Sequence, residues 1–132
     1  MKIANTVFVA VLVALGLGCG YSSKATTPAT AGTMPAITTL SPSSATHGDP
    51  AFVLTVTGAN FSGTAVINFA GAAQTTNQVS ATQLTATIAA ADIATAGTVA
   101  VTVTNPAVAG TGAYGSGGTL AETSSPVNFT VN

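Results

Sequence analysis

Apolar and polar residues alternate along several short segments of this chain, most clearly over residues 99–104. Successive side chains of a β-strand point to opposite faces, so period-two alternation with β-branched residues predicts half-buried strands. The same pattern recurs at residues 52–57, 67–69, 84–88 and 127–131, with weaker segments at 37–40 and 74–79. Glycine, proline and asparagine separate the segments. About seven short strands within about 100 residues predict an all-β fold, an antiparallel β-sandwich.

Large apolar residues occupy the positions of these segments that we expect to point inward. At about 1.5–3 kcal/mol each, their burial is sufficient for the core of one thin sandwich. The predicted core consists of Ile37, Leu40, Phe52, Leu54, Val56, Phe61, Ile67, Phe69, Leu84, Ile88, Ile93, Val99, Val101, Val103, Val127, Phe129 and Val131.

The first 18 residues have the layout of a secretory signal peptide. Lys2 places a positive charge near the start, an apolar run follows over residues 7–17, and small residues precede Cys19. The apolar run is shorter than the roughly 20 residues that a membrane-spanning helix needs. Residues 1–18 are therefore predicted to direct export.

Cys19 is the only cysteine in the chain, so it has no intrachain partner for a disulfide. It is either an incidental residue of the signal peptide or a site of lipid attachment. The stretch "LGLGC" resembles the lipobox of bacterial lipoproteins, in which the cysteine is acylated and begins the mature chain. The family usually has leucine three residues before the cysteine, where this chain has Gly16. The residue after the cysteine is Gly20 rather than aspartate, and by the same resemblance this implies that the protein is anchored in the outer membrane.

A segment rich in Ser, Thr, Ala, Gly and Pro follows the cysteine. Together with lipidated Cys19 it makes up residues 19–34, and it lacks apolar periodicity. Such a composition buries too little apolar surface to offset the entropy of the chain, so we expect a flexible linker.

Five blocks of the remaining chain resemble the IPT/TIG domain family. They are "SPSSATHGDPAFVLTVTGANF", "AVINFAG", "SATQLTATIAAADI", "GTVAVTVTNP" and "VNFTVN", within residues 35–132. The resemblance implies an immunoglobulin-like sandwich and a non-catalytic role in binding, spacing or dimerisation. Gly58 and Asn60 are suited to a tight turn that returns Phe61 to the core. Pro106 ends a strand after Asn105, because proline cannot donate to the ladder.

Composition argues against two classes of function. The chain has two basic residues, Lys2 and Lys24, whereas nucleic-acid binding needs clustered lysine and arginine. Catalysis by a triad needs a nucleophile, a base and an orienting group, and His47 is the only histidine. No motif for hydrolysis, phosphate binding or a metalloprotease is present. No cofactor is predicted.

Three ionisable side chains could meet at one end of the sandwich. His47 and Asp49 lie in the loop after the first strand, and Asp92 lies in the loop before the strand at residue 99. They form either a weak metal or ligand site or, alternatively, a solvated loop and a cap. In the second interpretation Asp92 caps a helical turn over residues 93–96.

Residues 105–126 form an unusually long connection between the last two predicted strands, where hairpin loops usually have about 2–5 residues. This loop is either a glycine-rich connector or a recognition loop, in which Tyr114 would be an anchor and Glu122 a polar contact.

Threonines occupy the outward positions of the strands. Threonine is a common polar β-former, and regular rows of it also occur on adhesive and ice-binding surfaces. Charged residues make up only 4% of the chain, a composition that fits a domain packed against neighbours or polymer.

The sequence predicts an exported, non-catalytic surface lipoprotein. We expect it to contact the membrane through its lipid and to bind a cell-surface protein or polysaccharide, but no nucleic acid. A glycan-recognition module that uses the long loop is the main alternative. A small hydrolase is a more distant one.

Overall fold

The computed structural model describes residues 28–111 and 117–132, and β-strands dominate both parts. Among these residues, no helix is long and apolar enough to cross a membrane. A short 3₁₀ helix at Ala90–Ile93 precedes the longest strand. The strands are β1 (Ala36–Ser41), β2 (Ser44–Ala45), β3 (Phe52–Ala59), β4 (Val66–Phe69), β5 (Ala72–Ala73), β6 (Thr76–Ser80), β7 (Gln83–Ile88), β8 (Gly97–Asn105), β9 (Glu122–Thr123) and β10 (Val127–Val131).

The strands form two sheets that enclose one core. The first sheet has the order β1-β3-β7-β6, and all of its neighbours are antiparallel. The second has the order β2-β10-β8-β4-β5, with β9 paired to the end of β8. Its one parallel pair is β2 with β10. The predicted all-β, immunoglobulin-like sandwich is confirmed, and the two-residue strands β2, β5 and β9 add to the seven longer strands that the alternation indicates.

The predicted inward positions form the core that the two sheets share. Thirteen of the seventeen predicted residues are buried, and Ile37, Phe52, Val99 and Val127 are partly buried against them. Ala65 and Ala86 complete the cluster. Phe129 lies at its centre: its ring stacks on Phe52 at a centroid distance of 5.7 Å and meets Phe69 edge-on at 5.4 Å.

A tight turn after β3 carries Phe61 back into the core, as the sequence predicts. Asn60 adopts a positive φ of 63°, a conformation that asparagine tolerates better than most residues. A side chain at Gly58 would collide with the carbonyl of Ala36 and with the Phe61 ring. Phe61 is buried as a result.

The helical turn before β8 lies three residues earlier than the sequence predicts. The prediction placed it at residues 93–96, and the structure has a 3₁₀ helix at Ala90–Ile93. The Asp92 carboxylate reaches back and accepts a hydrogen bond from the Ala89 N–H at 3.3 Å. Asp92 therefore does cap a turn, but from within it, and Ile93 ends the turn by inserting into the core.

Candidate functional site

The long connection between β8 and β10 is paired at its base. Val108 and Thr119 exchange two backbone hydrogen bonds of 3.0 and 2.9 Å. Thr30 lies alongside Thr119 in a parallel bridge: its N–H donates to Gly118, and its carbonyl accepts from the Leu120 N–H, both at 2.9 Å. We call the segment 30–34, held in this way, the N-terminal clasp. Thr30, which lies within the segment for which the composition predicts a flexible linker, is hydrogen-bonded in the structure.

Asn105 joins the clasp to the body of the sandwich. Its side chain is buried and makes three hydrogen bonds. The amide nitrogen donates to the carbonyls of Thr33 and Asn60, both at 2.8 Å, and the amide oxygen accepts from the Ser62 N–H at 3.0 Å. The sequence indicates only that a strand ends at Asn105. Its structural role was missed because the partners lie 72, 45 and 43 residues away.

The second half of the long connection continues the sheet. β9 pairs with the end of β8, with Glu122 opposite Asn105 and Thr123 opposite Thr104. Ser124 is buried, and its hydroxyl accepts from the Val103 N–H at 2.9 Å. Glu122 is thus a partly buried strand residue in the structure. Tyr114, the other residue predicted for recognition, lies outside the described residues.

A shallow cleft of about 320 Å³ opens between the clasp, the turn at Phe61 and the base of the long connection. Val108 and Leu120 line it with exposed side chains, 57% and 53% accessible. Ser62 also lines it, and the buried Ser62 hydroxyl has no hydrogen-bond partner within the described ranges. The cleft combines an apolar rim with a polar floor, as small binding sites do.

The loops that carry His47, Asp49 and Asp92 meet at the opposite end of the sandwich. The Gly48 N–H donates to the Ile93 carbonyl at 3.2 Å and ties the two loops together. The three side chains each bond a different partner: besides the Ala89 N–H, Asp92 accepts from the Gln74 side-chain amide at 3.5 Å. Asp49 accepts from the Thr46 N–H at 2.9 Å, and the His47 Nδ1 lies 2.8 Å from the Asn132 carbonyl oxygen. The described residues contain no group of three His, Cys, Asp or Glu side chains arranged to hold a metal ion.

The outward threonines lie on both sheet faces. On the sheet that contains β8, the Asn68 amide donates to Thr104 at 3.0 Å and to Thr102 at 3.4 Å. The Thr104 hydroxyl in turn bonds the Thr123 hydroxyl at 2.9 Å. These groups form a continuous polar ladder across β4, β8 and β9, in which side chains satisfy one another.

The base of the long connection is expected to contribute to stability. Replacing residues 107–123 with a two-residue Asn-Gly turn removes the Val108–Thr119 and Thr30–Thr119 pairing and all of β9. Four backbone hydrogen bonds hold the two pairings together, and each contributes about 0.5–1.5 kcal/mol net. Because the shorter loop costs less entropy to close, it offsets part of this loss, and we expect a net loss of about 1–3 kcal/mol, visible as a lower thermal midpoint. Shortening only residues 112–116 is the matched control and should leave the midpoint nearly unchanged, because loop length alone costs little. Equal midpoints for both variants would show that the base adds no stability.

Comparison with known proteins gives one match. The IPT/TIG domain family model matches residues 35–131, which include all ten strands in full. No curated protein and no solved structure matches the chain.

Proposed function

Because the chain belongs to the IPT/TIG domain family, whose immunoglobulin-like domains are non-catalytic modules often used in binding or adhesion, we propose that it is a non-catalytic binding module held at the bacterial surface by a lipid on Cys19. The family match carries the first half of this proposal, since it covers the whole sandwich. The signal-like segment and the lipobox-like stretch before Cys19 support the second half.

The ionisable groups of the domain support a non-catalytic role. Asp49 and Asp92 accept hydrogen bonds from backbone N–H groups of their own turns. The His47 Nδ1 lies against the carbonyl oxygen of Asn132, which cannot act as a nucleophile. In the small-hydrolase alternative, His47 would have to act as the base, and these contacts give no support to it.

The position of the clasp sets the direction in which the proposed anchor leaves the domain. Thr30 is fixed beside Gly118 and Leu120, at the end of the sandwich that carries the long connection. A chain that runs from Cys19 to Thr30 would therefore reach the domain at this end. The end with His47 and Asp49, together with the outer faces of both sheets, would be presented away from the anchor.

Glycan recognition through the long connection is a second candidate function. The cleft at its base supports this candidate, because Val108 and Leu120 expose apolar surface beside the polar groups of Ser62 and Thr119. Apolar contact with sugar rings and hydrogen bonds to hydroxyls are what such a site would supply.

We expect Cys19→Ser to release the chain from membranes. With its full N-terminal segment, the wild type should be recovered with the membrane fraction of a bacterial host, because several acyl chains on one residue anchor stably whereas one is marginal. The serine variant should appear in the soluble fraction. Thr26→Ser, a substitution in the segment that follows, is the matched control and should fractionate like the wild type. Identical fractionation of Cys19→Ser and the wild type would contradict lipid attachment at Cys19.

A further inference from the structure

The outer face of the sheet β1-β3-β7-β6 carries polar side chains aligned in rows across the strands. We call it the four-strand face. One row follows the register of the sheet through all four strands, and a second lies two residues away along each of β1, β3 and β7. The first row is Ser41, Thr55, Thr85 and Asn77, and the second is Thr39, Thr57, Gln83 and Ser80.

The spacing of these rows follows from sheet geometry. Neighbouring strands lie about 4.8 Å apart, and residues two apart along a strand are separated by about 6.8 Å. Each threonine hydroxyl can donate one hydrogen bond and accept two. The four-strand face is therefore a grid of donors and acceptors that repeats across the strands, with register shifts beside Thr39 on β1 and Ser80 on β6.

Some hydroxyls of this grid are hydrogen-bonded and others are not: the Ser80 hydroxyl bonds the Thr82 hydroxyl at 3.1 Å and accepts from the Thr82 N–H at 3.2 Å. Across β4, β8 and β9, Asn68, Thr104 and Thr123 bond one another. On the four-strand face, the Thr85 hydroxyl makes one long contact of 3.4 Å with the Asn77 carbonyl. Within residues 28–111 and 117–132, the hydroxyls of Thr55 and Thr57 make no hydrogen bond to the protein. Thr55 and Thr57, on the central strand β3, thus keep hydrogen-bonding capacity for a ligand.

The four-strand face carries no charge. No Asp, Glu, Lys, Arg or His occurs from Pro50 to Ala91, and none occurs in β1. A face without charge gives no electrostatic attraction to nucleic acid, to an anionic polymer or to a charged lipid surface. Its electrostatic complement is an uncharged ligand with many hydroxyl groups.

A shallow groove on this face adds apolar surface to the grid. It has a volume of about 280 Å³ and is lined by Val53, Thr75, Asn77, Thr85 and Thr87, together with Ala86. Val53 is 57% exposed and lies on β3 directly opposite Thr87. A sugar ring presents hydroxyls at its edge and C–H groups on its faces. The groove offers both kinds of contact: Val53 supplies apolar surface, and Asn77, Thr85 and Thr87 supply polar groups.

From these observations we propose that the four-strand face binds an extended, neutral polysaccharide. The inference rests on the proposed function, and it names the ligand class and the surface that this binding module would use. A repeating grid suits a polymer whose hydroxyls recur along an extended chain. Single contacts would be weak, and many domains held on one membrane surface would act together on one polymer.

Binding of the detergent-solubilised full chain to insoluble cellulose, a neutral extended polymer, tests this proposal. The central variant is Thr55→Val with Thr85→Val, which removes a cross-strand hydroxyl pair and keeps the side-chain shape. The matched control is Thr98→Val with Thr130→Val, the equivalent cross-strand pair on the opposite sheet. We expect the wild type and the control to bind alike, without strong dependence on salt, and the central variant to lose about tenfold in affinity.

Three outcomes would overturn the proposal: no binding of the wild type to cellulose, equal loss in both double variants, or full binding by the central variant. Sedimentation provides a further test. If the wild type formed a dimer and the central variant did not, the four-strand face would bind a second copy of the chain, and the proposal would be overturned. Fractionation of Cys19→Ser is measured separately. If the wild type did not bind cellulose while Cys19→Ser was still released from membranes, the proposed ligand class would be wrong and the proposed surface module would stand.

Discussion

Phe129→Ala is expected to lower the free energy of unfolding by about 3–5 kcal/mol, the range observed when a buried phenylalanine is truncated. Phe129 is fully buried between the sheets. Its ring contacts Phe52 and Phe69, which contribute from different sheets, so truncation opens a cavity that neither sheet can fill alone. Urea denaturation of the chain from residue 20 onward, which retains the clasp, would measure the loss.

Thr130→Ala is the matched control for this substitution. Thr130 is the next residue on β10, is exposed, and points away from the core. Its substitution should change the free energy of unfolding by less than about 0.5 kcal/mol. If Phe129→Ala also changed the free energy of unfolding by less than about 0.5 kcal/mol, Phe129 could not be buried. That result would contradict the register in which β10 pairs with β8.

Asn105→Ala should have the second largest effect, a loss of about 2–4 kcal/mol. The substitution removes three hydrogen bonds and leaves the carbonyls of Thr33 and Asn60 and the Ser62 N–H without this partner. Buried groups left unsatisfied cost about 1–3 kcal/mol, so the loss exceeds the net value of a single bond. The measurement is again urea denaturation.

Asn128→Ala provides the comparison for Asn105. Asn128 is exposed on β10, and its removal should alter stability by less than about 0.5 kcal/mol. In addition, Asn105→Ala should increase proteolysis near residues 28–34, because it releases one of the bonds that hold the clasp. Wild-type resistance of this segment in Asn105→Ala would show that the clasp does not depend on Asn105.

The sequence allowed most of the sandwich to be predicted. Period-two alternation is a local signal, and it identified the seven longer strands and the core residues on them, including Phe129. The turn at Asn60 was predictable for the same reason, because a positive φ favours particular residue types at one position. The 3₁₀ helix was misplaced because a run of alanines carries no signal for where a turn begins.

The candidate site was less predictable than the fold. Pairing of Thr30 with Gly118 and Leu120 joins two segments that are about 90 residues apart and rich in Gly, Ala and Thr, where no periodicity marks the partners. Asn105 and Ser124 are polar residues whose burial depends on distant backbone groups. The rows of the four-strand face required the register of four strands, which outward threonines alone do not define.

The clasp has a mechanical consequence for a domain anchored at Cys19. Tension along the chain would arrive first at Thr30, which is held by hydrogen bonds to Gly118 and Leu120 rather than by core packing. Breaking these bonds, together with the bond from the Asn105 amide to the Thr33 carbonyl, would release the clasp and leave the strand pairing of both sheets in place. Releasing the five residues 30–34 would lengthen the tether by at most about 18 Å, at 3.3–3.6 Å for each extended residue. For a domain that is anchored to the membrane and bound to a polymer, release of the clasp would therefore lengthen the connection between the two without unfolding the sandwich.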